Sequence, residues 1–322
     1  MKVVGLAGGV GASKLLLGLS KVLEHGELTV IANTGDDIEL HGLHISPDLD
    51  IITYTLAGAV EDRQGWGIAG DTFHALQALG RYGREVWFNL GDRDLATHLH
   101  RTHLLRRGRT LAQAADEIRR AWGVAARILP ATNDRVESRV ATDAGTLHFQ
   151  EYLVRDRGAA PVRGIVLTGI EAARPAPGVL EAIAAAEGIV VCPSNPLISI
   201  GPVLGVPGVR EAVRGARAPA VAVSPVVAGA SLKGPTDKML AGLGHDVSAL
   251  GVARLYADFL DGFILDQQDA AQRPAIEALG LRARTAQTVM QTLEDKVALA
   301  KVVVSALGEL QGLRSTGGKS VR

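Results

Sequence analysis

The chain has 322 residues, room for one large α/β domain or two modest ones with a well-buried core. Its 34 basic and 34 acidic residues cancel, arguing against nucleic acid or an anionic membrane as main partner, and 47% hydrophobic content with only 4% aromatic suits Val/Ile strands between Ala/Leu helices. The lone Cys192 excludes an internal disulfide and a cysteine zinc cluster, the N-terminus lacks a signal-peptide pattern, and no apolar run nears the ~18 residues of a membrane span, so a cytoplasmic location is expected.

Met1–Gly18, MKVVGLAGGVGASKLLLG, opens the chain. Lys2–Ala7 predicts a strand, Gly8, Gly9 and Gly11 a turn, and Ser13–Leu23 a helix with leucines at helical spacing. This arrangement aims backbone N–H groups and the positive end of a helix at a phosphate, with Gly9, Gly11, Ser13 and Lys14 as candidate contacts. Two fingerprints nearly fit. A Walker A loop needs glycine before its lysine, where Ser13 stands, and the dinucleotide pattern needs a third glycine, where Lys14 stands. A tight turn without a ligand is the plain alternative.

Leu28–Ala32 predicts a second strand, followed by the polar stretch Asn33–Asp50, NTGDDIELHGLHISPDLD. At about three times the usual connection length it is functional or disordered, and its Asp36, Asp37, Asp48 and Asp50 favour function. Asp71–Tyr82 predicts a helix capped by Asp71, and Glu85–Leu90 a third strand ending in the polar turn Asn89–Asp94, NLGDRD. Leu95–Arg107 and Thr110–Trp122 are consecutive helices, read as a helical insertion at about 95–126 in a single unit spanning 1–322.

Arg127–Pro130 leads to a predicted hairpin of Ser138–Thr142 and Thr146–Val154. Alternation resumes with strands Ile165–Ile170, Ile189–Cys192 and Ala220–Val223 and helices Gly178–Ala186 and Val209–Arg214. A long helical region spans Thr236–Phe259, then come strands Gly262–Leu265 and Arg282–Ala286, a closing helix Thr292–Leu310 and a Gly/Ser/Lys-rich tail, Ser315–Arg322, expected to fray. Such alternation specifies a mostly parallel sheet with helices on both faces. Its ligands bind outside the carboxyl ends of the strands, at the topological switch point. Gly8–Lys14, Asn33–Asp50, Asn89–Asp94 and Pro193–Ser199 all follow predicted strands, so they are expected to converge on one site.

LAGGVGASKLLLGL, NTGDDIELHGLHISPDLD, WFNLGDRDLATHL, HFQEY and SNPLISIGPVL give the chain a resemblance to the 2-phospho-L-lactate transferase family (CofD, or FbiA in actinobacteria) of coenzyme F420 biosynthesis. The resemblance implies a Rossmann-like α/β fold with a helical insertion, a homodimer and a Mg²⁺-dependent enzyme. It implies transfer of a phospholactyl or phosphoenolpyruvyl group from a guanylylated donor to the ribityl hydroxyl of the deazaflavin FO. GMP leaves, and F420-0 or its dehydro form is the product. In the family, the position aligned with Asp50 contacts FO.

A diphosphate donor and a hydroxyl acceptor need a cation on the phosphate oxygens, donors to hold them and a group to orient the nucleophile. Mg²⁺ favours one or two carboxylates plus phosphate and water. Asp36 and Asp50 are the expected metal and acceptor contacts, supported by Asp37 and Asp48, with Asp50 either on the metal or orienting the hydroxyl. The plain alternative has Asp36 and Asp37 capping a turn and Asp48 a helix. Arg93 is expected either to hold phosphate bidentately and steady developing charge, or to pair with Asp36 or Asp50. Gly91 permits a tight turn, Asn89 and Asp92 are candidates for the polar edge of the deazaflavin, and Asp94 reads as a helix N-cap. Ser194 and Asn195 either bind the guanosine half or make an ordinary turn. His98, His100 and His103 scatter around their helix, so zinc is not expected. Two rivals stand beside the transferase: a nicotinamide oxidoreductase with Asp36 on the ribose, and a nucleotide-sensing module without activity. The missing third glycine and Asn33 at the tip of the second strand count against the oxidoreductase.

Overall fold

The computed structural model describes residues 1–61 and 65–315, so the tail beyond Ser315 lies outside the described residues. Seven strands form an all-parallel sheet: β1 (Val3–Ala7), β2 (Leu28–Ala32), β3 (Arg127–Pro130), β4 (Gly188–Val191), β5 (Ala220–Val223), β6 (Gly262–Asp266) and β7 (Arg282–Ala286). Their order across the sheet is β3-β2-β1-β4-β5-β6-β7. That is the doubly wound, Rossmann-like arrangement, in which strand order reverses between β1 and β4.

Side-chain alternation along each strand builds a core on both faces. Val4 and Leu6 of β1 and Ala220 and Ala222 of β5 join Val179 and Ile183 of α6 (Val179–Ala185 in the chain) on one face. Val3, Ala7, Val221 and Val223 join Leu15, Leu16 and Leu19 of α1 (Gly9–Val22) on the other. Each fully buried leucine contributes about 2 kcal/mol relative to exposure. A second long helix on this face, Leu293–Ser315, crosses α1 so closely that a Cβ on Gly18 would stand 2.0 Å from the Lys296 carbonyl oxygen.

Several expectations are corrected. The stretch after β2 is no open loop: Ile38–Leu40 and Leu43–Ile45 form an antiparallel hairpin, and Pro47–Leu56 is α2, placing Asp48 and Asp50 in its first turn. His41 and Gly42 both take positive φ, the two-residue turn that twists correctly for a hairpin but is most readable from sequence as Asn-Gly. Glu85–Leu90 forms no strand; the place beside β2 belongs to β3, and the aromatic pair Trp87 and Phe88 instead walls two cavities. Gly164–Thr168 lies outside the parallel sheet, pairing antiparallel with Glu137–Thr142, which also pairs with Gly145–His148. The helical region 236–259 is two helices, Thr236–Gly242 and Ala249–Tyr256, separated at a positive-φ Gly244. The helix predicted from Asp71 begins at His74, as α3 (His74–Arg81). The paired helices are α4 (Asp92–Arg106) and α5 (Leu111–Ala121), the latter started by a Thr110–Gln113 capping box.

Candidate active site

Where β1 and β4 part, the two following loops are stitched together. A Cβ on Gly11 would lie 2.2 Å from the Pro193 carbonyl oxygen, and one on Gly8 would lie 2.7 Å from Asp48 Oδ2, so both glycines are required by close approach. Ser194 Oγ donates to the Gly8 carbonyl, and Asn195 Oδ1 accepts from Leu197 N (2.9 Å) and Ile198 N (3.2 Å). Ser13 is buried and donates to Val10 O at 2.9 Å, while Lys14 Nζ donates to Met290 O at 2.9 Å. These four expected ligand contacts are engaged within the protein.

The acidic stretch supplies two different groups of carboxylates. In the first, Asp48 accepts from Gly9 N (2.7 Å) and Asn33 Nδ2 (2.8 Å), which ties α2 to the start of α1 and the tip of β2. Asn33 thus faces a carboxylate rather than a ribose. Burial pushes Asp48 up to about 7 against the pull of those donors. Asp36, also buried, is raised well above the usual carboxylate range by burial and by Asp48, and its Oδ1 has no hydrogen-bond partner. Among the described residues neither carboxylate forms a salt bridge. Such a pair of hard oxygen ligands without a salt bridge fits Mg²⁺, and so does the spacing of Asp50, Asp94 and His98, whose ligand atoms lie within 4.8 Å of one another. Asp37 turns aside, accepting from Ser46 Oγ (2.7 Å) and His44 Nε2 (3.0 Å).

The second group lies between α2 and α4. Asp50 pairs with Arg101, whose Nη1 also reaches His98 Nδ1 at 3.2 Å. His98 Nε2 lies 3.2 Å from Asp94 Oδ2, and Asp94 Oδ1 accepts from the Tyr54 hydroxyl at 2.7 Å. Burial raises the Asp50 carboxyl despite Arg101 and His98; at Asp94 the His98 and Tyr54 donors outweigh burial and leave it below the usual range. Asp36 and Asp50, expected as the metal and acceptor contacts with Asp50 on either, sit in different groups. Asp94 is not the N-cap of α4 but projects from its first turn into this network.

The Asn89–Asp94 turn is held by reciprocal capping. Asp71 accepts from Arg93 N (2.8 Å) and Asp94 N (3.0 Å) at the start of α4, and Asp92 accepts from His74 N (3.0 Å) and Ala75 N (2.9 Å) at the start of α3. Gly91 makes room for this, since a Cβ there would lie 2.1 Å from Asp71 Oδ2. The Arg93 side chain is exposed and donates to Ala69 O at 3.0 Å.

Two cavities flank the acidic stretch. One, of about 420 Å³, is largely apolar, walled by Val10, Ile51, Tyr54, Trp66 and Phe88, with Asp48, Asp50, Asn89, Asp94 and His98 also at its surface. The other, of about 530 Å³, is more polar and presents Thr34, Asp37, Arg135, Arg139 and His148. A larger groove of about 930 Å³ runs beside β6 and β7 and includes none of the acidic-stretch residues.

Tyr54, His98 and Arg101 went unassigned in the sequence reading. Their signal is spacing: Asp50 and Tyr54 are four apart on α2, and Asp94, His98 and Arg101 share a face of α4.

Fold and site together define a doubly wound α/β protein with two cavities beside the acidic stretch that follows β2, lined by carboxylates rather than a complete phosphate loop. The family described as 2-phospho-L-lactate transferase CofD matches residues 3–305, and the chain belongs to it. A phosphoenolpyruvate transferase of Streptomyces griseus is 43% identical over 317 residues, covering 97% of this chain and 100% of that protein. A 2-phospho-L-lactate transferase of Methanosarcina mazei is 40% identical over 300 residues, covering 93% and 98%. The crystal structure of a UPF0052 family member from Bacillus halodurans superposes with a TM-score of 0.67 at 19% identity, covering 94% and 99%, a likeness of fold. No helix among the described residues is long and apolar enough to cross a membrane.

Proposed function

We propose that the protein transfers a phospholactyl or phosphoenolpyruvyl group from a guanylylated diphosphate donor to the ribityl hydroxyl of FO, giving F420-0 or its dehydro form and GMP. The observation that carries this reading is the pair of unlike cavities lined by successive parts of the acidic stretch, Thr34–His44 on one and Ile45–Ile51 on the other. The apolar slot between Tyr54, Trp66 and Phe88 suits a planar deazaflavin, and the polar cavity with Arg135 and Arg139 suits a guanylyl group. Names carried by relatives that this chain covers almost completely support the same transfer.

In this reading Asp36, with Asp48 in place of Asp50, would hold Mg²⁺. The bound ion would neutralise charge on the diphosphate oxygens. Asp50, which lines the slot and whose buried Oδ2 has no hydrogen-bond partner, orients the acceptor hydroxyl and takes its proton. A bond forms from that oxygen to the phosphorus bearing the three-carbon acid, the bridging P–O bond breaks, and GMP departs with the electron pair. Backbone N–H groups of Val10 and Gly11 in the first turn of α1 hold phosphate, the Gly9 N–H being taken by Asp48. As the family resemblance implies, the working form is a cytoplasmic homodimer.

The test is GMP release from guanylylated phospholactate or phosphoenolpyruvate, with Mg²⁺, with and without FO. FO-dependent GMP and a matching mass gain on the deazaflavin are expected, and the better donor names the transferred acid. No GMP from either donor would overturn the reading in favour of nucleotide sensing.

A further inference from the structure

Arg101 is only 1% exposed and is the largest of the fully buried side chains. Burying a guanidinium is costly unless every partner is in place, so its surroundings call for an explanation. Nη2 pairs with Asp50 Oδ1, and Nη1 reaches His98 Nδ1 (3.2 Å) and His44 O (3.3 Å). Arginine has donors only, so His98 Nδ1 must be the acceptor. A neutral His98 then carries its proton on Nε2, the atom 3.2 Å from Asp94 Oδ2. One side chain thereby fixes the orientation of a carboxylate and the tautomer of an imidazole.

What Arg101 leaves untouched is equally informative. Asp50 Oδ2 has no hydrogen-bond partner, and Asp50 lines the apolar slot together with Asp94, His98 and Tyr54. Asp50, Asp94 and His98 place ligand atoms within 4.8 Å of one another, a spacing that would suit a metal ion. Arg101 already supplies a cation to this group, whereas Asp36 and Asp48 form no salt bridge among the described residues.

We propose that Arg101 is a positioning residue for the transfer: Nη2 holds Asp50 Oδ1 while Nη1, spread from it by the planar guanidinium, holds His98 Nδ1 and His44 O, so that Oδ2, 3.6 Å from His98 Nδ1, is kept at the wall of the slot for the acceptor hydroxyl. The inference rests on the transferase reading above. A lysine, with a point charge on a flexible stem, would not reproduce the fork.

The experiment compares wild type, Arg101→Lys, Asp50→Asn and the double variant, measuring FO-dependent GMP release after melting curves confirm folding. Arg101→Lys should lower kcat by about 10–10²-fold while leaving the KM for the guanylylated donor within about threefold. Because Arg101 acts through Asp50, the double variant should be no more than about twofold slower than Asp50→Asn alone. A merely structural arginine would instead add its loss to that of Asp50→Asn. Near-wild-type kcat in Arg101→Lys, or multiplying losses in the double variant, would overturn the proposal. If Arg101→Lys does not fold, Arg101→Ala with added guanidinium ion takes its place. Turnover must then rise with guanidinium while Asp50 is intact, and must not rise when Arg101→Ala is combined with Asp50→Asn. Absence of turnover in wild type would count against the transferase reading itself. The same four proteins would then be compared by FO binding in equilibrium dialysis, where non-additive losses support the clamp and additive losses refute it.

Discussion

Asp48 and Asp50 are two residues apart on one helix, yet they meet opposite surroundings. Asp48 faces Asn33, Gly9 N and the buried Asp36, with no cation in salt-bridge contact among the described residues. Asp50, turned towards α4, meets Arg101 and His98. Burial raises both, but Asp50 has a cation, Arg101, in contact, and in the proposed reading a divalent ion would take that place beside Asp48 and Asp36. The contrast teaches that acidic residues in a short motif are sorted by what packs against them. Spacing alone puts them all in one metal site.

The comparison can be broken most directly at its two ends. Asp36→Asn should lower Mg²⁺-dependent turnover by about 10³-fold, and Asp50→Asn by about 10²-fold, as expected for loss of a central electrostatic group. Raising Mg²⁺ should recover part of the first loss and none of the second. Equal recovery in both variants would merge the two groups into one.

A smaller effect sharpens the Asp48 side. Burial raises Asp48 to about 7 from its ordinary 3.8, so between those values the folded protein holds a proton that the unfolded chain has released. The folded state binding more protons, stability falls as pH rises through that window. In chelator-treated protein, the melting-temperature advantage of wild type over Asp48→Asn should shrink from about pH 5 to about pH 8. An advantage that grows would reverse the assignment.

The smallest effect lies at the turn between the cavities. Asp92 is bound to the first turn of α3 through His74 N and Ala75 N, so Asp92→Ala should lower the denaturant midpoint. An unchanged midpoint would free Asp92 for the substrate role its sequence position suggested.

Much of the fold was legible in the sequence. Leu28–Ala32, Ala220–Val223 and Arg282–Ala286 are strands with the expected bounds, because parallel strands buried on both faces are short runs between turn residues. Glu85–Leu90 misled because aromatic and β-branched residues fit a cavity wall as well as a pleated sheet. In the site, the acidic stretch was legible and its division was not. Arg101 on a predicted helix looks like part of a solvated face, and only packing against the Leu43–Ile45 strand and Asp50 of α2 buries it. Asp94 looked like a cap because the start of α4 was placed at Leu95; the capping carboxylate comes from Asp71, which no local pattern reveals.

The most direct test of this division is Mn²⁺ binding, followed by water-proton relaxation in the presence of guanosine diphosphate, in wild type, Asp48→Asn and Asp50→Asn. Asp48→Asn should lose the protein-bound ion while Asp50→Asn binds it as wild type does. Loss in Asp50→Asn with retention in Asp48→Asn would contradict it.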